Sequence, residues 1–140
     1  MNTVSSDEMK KIYAARRAKA AEFLKQSNTG AAVFIDNEDH REAALRYLTG
    51  HTSDAVLILF DDAYSVLIPW DENLAKKISF SDKMIPFTKY KNSALEAVKM
   101  NLNASSHFKN RKVELPPQTA YPEFLRYVDA LAGIDVRCRE

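Results

Sequence analysis

The chain has 140 residues, 46% hydrophobic and 28% charged, which suits one soluble globular domain with a real core and leaves too little for two. Twenty basic against nineteen acidic side chains give a net charge of +1, and the basic residues are scattered, which excludes the concentrated positive face of a nucleic-acid groove. No stretch reaches membrane-span length, the opening M-N-T-V-S-S-D-E lacks the apolar segment of a signal peptide, and the single cysteine, Cys138, excludes an internal disulfide and suits a reducing, cytoplasmic compartment.

Ser5 and Glu8 form a capping box, and with Asp7 they place negative charge at the start of a helix expected to run to about Gln26. Its apolar face is expected to be Met9, Ile12, Tyr13, Ala20, Phe23 and Leu24, with Arg16, Arg17 and Lys19 mostly opposite. Asn28-Thr29-Gly30 stops it, and Ala31–Ile35 reads as a first strand. A polar loop, Asp36–His40, leads into a short helix over roughly Arg41–Leu48 with Asp39 as its cap. Ala55–Phe60 is six consecutive apolar residues bounded by aspartates, the signature of a strand covered on both faces. Tyr64–Ile68 follows a short acidic turn, predicting an antiparallel hairpin.

Asp71 is placed to cap a helix reaching Ile78, and Met84–Phe87 reads as an edge strand broken by Pro86. Ser93 and Glu96 make a second capping box for an amphipathic helix over Ser93–Leu102, with Leu95, Val98 and Leu102 inward. Asn103–Asn110 is a polar connection and Lys112–Leu115 a strand. Pro122 fits the first turn of a helix reaching Ala132, and Ile134–Arg137 is a last strand. Strands in a meander followed by crossover helices predict an α/β fold, a mixed sheet of five or six strands with helices on its faces. The three glycines, Gly30, Gly50 and Gly133, each follow a helical pattern, where a positive φ ends a helix cheaply, and no phosphate-cradling loop can be written with them. The chain stops directly after its last strand, the pattern of a single domain, residues 1–140, cut from something longer.

Arg46-Tyr47-Leu48-Thr49-Gly50, followed by a polar stretch and A-V-L-I-L-F, closely resembles the N-terminal domain of the creatinase/prolidase/aminopeptidase P family. Ala44 stands where that pattern has asparagine, and His51 follows the glycine. R-x-x-x-A-A-x-F-L (Arg16 to Leu24) is similar to the family's first helix, and K-V-E-L with Y-P-E-F-L-R-Y-V to its last strand–helix unit. The resemblance implies a ribonuclease H-like fold and a non-catalytic half of a Xaa-Pro dipeptidase or aminopeptidase. Its implied role is to shape substrate entry for short proline-containing peptides and to help build a homodimer. Catalysis would lie in a downstream "pita-bread" domain, where two divalent metals (Mn or Co) are held by Asp, Asp, His, Glu and Glu. The N-terminal half of a creatinase, and a non-enzymatic peptide-binding scaffold of the same fold, are the alternatives.

The chain itself offers no catalytic constellation, and no metal or other cofactor is assigned to it. The run Asp36, Glu38, Asp39, His40 supplies oxygen ligands without the spacing of an EF-hand or zinc motif, and such a loop is normally just solvated. His51, in a loop after the glycine, is a candidate to reach a neighbour's substrate rim, against the plainer reading of an exposed loop histidine. Trp70, after Pro69, is a candidate entrance contact, against plugging a strand–helix junction. Arg46 is a candidate dimer contact, against an ordinary surface arginine. Tyr47 and Leu48 are expected in the core, His107 carries no signal, and Cys138 has no base beside it in sequence.

Overall fold

The computed structural model describes residues 5–139; residues 1–4, which belong to the leader reading, and residue 140 lie outside the described part. Helix α1 (Ser6–Gln26) starts where predicted, with the Ser5 hydroxyl accepting the Glu8 N–H at 3.1 Å. Strands β1 (Ala31–Asp36), β2 (Ala55–Phe60) and β3 (Ser65–Pro69) form the antiparallel meander. Between the first two lies α2 (Ala43–Thr49), and α3 (Glu72–Ile78) follows the third with Asp71 capping Leu74 at 3.0 Å. Then come β4 (Lys83–Met84), a 3-10 turn (Phe87–Tyr90), α4 (Ala94–Ala104), β5 (Lys112–Leu115), α5 (Tyr121–Ala130) and β6 (Asp135–Cys138).

The six strands make one mixed sheet in the order β4-β3-β2-β1-β5-β6. β4, β5 and β6 join it in parallel fashion, as crossover helices require. Alternation along each strand divides the core in two. Ala32, Phe34, Leu57, Leu59 and Leu67 meet Leu24, Leu45, Leu48 and Ala75 of α1–α3. Val33, Val56, Ile58 and Ile68 meet Val98 and Leu102 of α4, Tyr127 of α5 and the 3-10 turn. All of β2 is inaccessible to solvent, as an unbroken apolar run between two helix layers must be. Each Val, Leu, Ile or Phe so buried is worth about 1.5–3 kcal/mol of transfer free energy.

Several boundaries differ for local reasons. Glu42, not Asp39, caps α2, because Asn37 Oδ1 accepts from the Asp39 and His40 amides and ties them into a tight turn. β4 is cut to two residues by Pro86, after which Phe87 and Tyr90 turn into the core. On α1 the buried stripe is Arg17, Ala21 and Leu24, while Phe23 is 62% exposed and Ile12 also faces solvent. The stripe turns toward Arg17 because interior carbonyls need its guanidinium, as described below. Gly50 and Gly133 adopt positive φ (80° and 78°), as expected. Gly30 does not; Asn28 takes the left-handed position, and Gly30 is required because a Cβ there would stand 1.8 Å from the Asn110 carbonyl oxygen.

Candidate functional site

The R-Y-L-T-G segment ends α2 and turns the chain back toward β2. Gly50 closes the helix by donating its N–H to the Arg46 carbonyl at 2.7 Å. The Thr49 hydroxyl donates to Leu45 O at 2.8 Å and accepts the His51 N–H at 3.1 Å, so one side chain bridges the helix and the loop after it. The Thr49 carbonyl accepts Phe80 N–H at 2.8 Å. Arg17 completes the seam from α1, its Nη1 donating to Leu48 O at 3.0 Å and Phe80 O at 2.9 Å. Burial lowers the Arg17 pKa from its ordinary value, against the opposing pull of Asp82.

This seam decides where the three candidate residues fall. Arg46 projects to solvent and forms no ion pair among the described residues. His51 is fully buried, which corrects the expectation of an exposed loop histidine. Neither of its ring nitrogens has a hydrogen-bond partner. Desolvation pushes its pKa down, outweighing the Asp54 backbone, which approaches without completing a hydrogen bond, and the carboxylates of Asp71, Asp36 and Asp54. Asp36 and Asp54 are themselves held by Arg41, at 3.4 and 3.1 Å. Trp70 is partly exposed and stacks on Phe87 with centroids 3.6 Å apart, while its backbone N–H donates to Asp54 O at 3.0 Å. Arg46 and Trp70 therefore reach the surface and His51 does not.

Tyr47 also departs from expectation. It is 55% exposed, lying under the Arg16 guanidinium at 4.3 Å, while Arg16 Nη1 donates to the Tyr47 carbonyl at 3.1 Å. The buried face of α2 is Leu45, Leu48 and Thr49, at i, i+3 and i+4, and Tyr47 lies off it. Among the described residues no group of three or more His, Cys, Asp or Glu is placed to hold a metal ion. His40 is exposed, and Asp36 is engaged by Arg41 and the Glu42 amide.

At the β2–β3 turn lies a cluster that sequence reasoning missed. Asp62, in the β2–β3 turn, meets His107 Nδ1 at 2.5 Å, and the His107 ring stacks flat on Tyr64 at 3.8 Å. Burial tends to raise the Asp62 pKa, but hydrogen bonds from His107 and the Tyr64 amide, with the His107 charge, hold it below the ordinary carboxylate value. A shallow cavity of about 310 Å³ beside the pair is lined by Arg17, Asp62, Tyr64, Asp82 and His107. Asp–His pairs serve nucleophilic catalysis when a hydroxyl faces the ring. Here the Ser105 hydroxyl accepts the His107 backbone N–H instead, so the cluster ties the α4–β5 connection to the hairpin turn. Nothing local in the sequence announces it, since the partners lie 45 residues apart.

No protein-family profile and no curated protein matches the chain. Solved structures do. A Xaa-Pro aminopeptidase from Streptococcus pyogenes matches with a TM-score of 0.68 at 18% identity, over 91% of this chain and 92% of that one. The creatinase/prolidase N-terminal domain of an X-Pro dipeptidase, also from Streptococcus pyogenes, matches at 0.59 and 15% identity, over 89% and 93%. For the X-Pro aminopeptidase of Thermotoga maritima the values are 0.65 and 15%, over 87% of this chain but 33% of that one, so this chain spans about a third of that relative's length. The six-stranded mixed sheet with helices on both faces is the fold of the creatinase/prolidase N-terminal domain.

Proposed function

We propose that this chain is the non-catalytic N-terminal domain of a cytoplasmic Xaa-Pro dipeptidase or aminopeptidase. In this reading it walls the entrance of a neighbouring catalytic domain, so that only short or N-terminal proline-containing segments enter, and it contributes surface to a homodimer. The observation that carries the reading is the coincidence of R-Y-L-T-G with the C-terminus of α2 inside a fold shared, over nearly the full chain, with N-terminal domains of Xaa-Pro peptidases. The two divalent metals of such an enzyme polarise the scissile carbonyl and activate water. In this reading the metals sit in a separate domain, and no step of hydrolysis is assigned to this chain.

The test is an assay of the purified chain with Xaa-Pro dipeptides and longer Xaa-Pro peptides in Mn²⁺ or Co²⁺. The expected result is no turnover above the metal blank, with turnover appearing only when a domain carrying the five ligands is present. Turnover by the chain alone contradicts the reading. A partner domain lacking those ligands favours the peptide-binding scaffold, and hydrolysis of creatine in place of peptides favours the creatinase.

A further inference from the structure

β6 is the outermost strand on its side of the sheet and pairs with β5 alone among the described strands. Its outer edge therefore presents unpaired N–H and C=O groups. Along it Val136 points into the core, while Asp135 and Arg137 point out and bind each other, Arg137 Nε to Asp135 Oδ1 at 2.8 Å. α5, which crosses from β5 to β6 and packs on this strand, carries a second unpartnered feature. Tyr121, Leu125 and Val128 lie at i, i+4 and i+7 on one flank and are 71%, 42% and 42% exposed, while Tyr127 turns into the core. A short helix does not ordinarily hold a core face and a second apolar stripe.

The triplet Asp135-Val136-Arg137 is complementary to its own reverse. In an antiparallel pair related by a two-fold axis through Val136, Asp135 of each copy stands opposite Arg137 of the other. A partner edge bearing one sign of charge would instead set like charges opposite each other. The same axis, perpendicular to the sheet, keeps both α5 helices on one face of the joined sheet, beside the seam.

We propose that the β6 edge and the α5 flank together form a homodimer surface, on which a second copy of this chain adds its own β6 in antiparallel register and packs its Leu125 and Val128 against their counterparts. The proposal rests on the homodimer part of the functional reading and names its surface. Asp135 and Arg137 then act as a selector, guarding the edge against arbitrary strands and admitting the one whose charges run in reverse.

Sedimentation velocity over micromolar concentrations tests it. The wild-type chain is expected to dimerise. Asp135→Arg and Arg137→Asp are each expected to weaken dimerisation at least tenfold, while an equimolar mixture of the two variants regains a heterodimer because their charges again alternate. Val128→Asp is expected to weaken it without touching the strand. All three positions are at the surface, so unchanged far-ultraviolet circular dichroism checks that the variants are folded. A dimer indifferent to both charge reversals overturns this surface and leaves the homodimer reading standing. A wild-type chain that stays monomeric throughout overturns both, and leaves the peptidase assignment to its own turnover assay.

Discussion

Arg17 of the first helix is the donor for the Leu48 carbonyl at the end of α2, across 31 residues of sequence and at 3.0 Å. A second bond, to Phe80 O at 2.9 Å, lets one guanidinium hold three segments together. It does so from a position the helical pattern assigns to solvent. The carbonyls are interior and need a donor, and arginine presents several in a fixed fork on a stem long enough to pack along the way.

Replacing that fork is expected to be costly. Arg17→Leu keeps apolar volume but strands two interior acceptors, each worth about 1–3 kcal/mol when left unpaired. Urea denaturation should show a loss of about 2–4 kcal/mol. Arg17→Lys should recover only part of it, since a single ammonium cannot reproduce the fork.

Gly30 and Gly133 should respond differently to the same change. Gly30→Ala drives a methyl to 1.8 Å from the Asn110 oxygen, so backbone must move at the joint between α1, β1 and β5. The expected loss is about 2–4 kcal/mol. At Gly133 nothing stands near an added Cβ, and only the φ of 78° opposes it, so Gly133→Ala should cost about 1–2 kcal/mol. Equal losses on thermal unfolding would contradict this separation of steric from conformational cause.

His51 sets a pH dependence whose sign follows from its burial. Its folded pKa lies below the ordinary value of about 6.5, so the unfolded chain takes up the proton first and stability falls as pH drops below about 6.5. The limiting slope is about 1.4 kcal/mol per pH unit until the folded ring titrates. Asp62 also loses its stabilising contribution on acidification, but only toward the carboxylate range, because its folded pKa is depressed below that of the unfolded chain. The difference between wild type and His51→Leu between pH 5 and 6.5 therefore isolates the imidazole, to the order set by these reference values. Because both ring nitrogens are unpartnered, His51→Leu should be neutral or slightly stabilising at pH 7.5. Stability that is flat across this window in wild type would contradict the buried, neutral ring.

For Asp62 and His107, a double-mutant cycle with alanine at both positions should give a coupling of about 0.2–1 kcal/mol at pH 6, since both side chains are partly exposed.

What could be read in advance was whatever the chain states locally. The unbroken apolar run of β2 declared its burial on both faces. Asp71 declared a cap, and the short acidic connection declared a hairpin, even though Ala63 rather than glycine carries its positive φ of 74°. What could not be read was the destination of polar side chains. Arg17, His51 and His107 each take a place set by carbonyls, carboxylates or rings far away in sequence, and no periodicity encodes an interior acceptor. Tyr47 shows the same limit on a smaller scale: its neighbour Leu48 took the inward position, and Arg16 of α1 covers the ring that was left outside.

The most direct test compares one substrate and one metal across two proteins: the 140-residue chain, and the same chain joined to whatever its gene encodes after Glu140. With Mn²⁺ and an Xaa-Pro dipeptide, release of free proline is expected from the longer product and none above the blank from the chain alone. Proline released by the chain alone, or a gene product that ends at Glu140, would contradict the account.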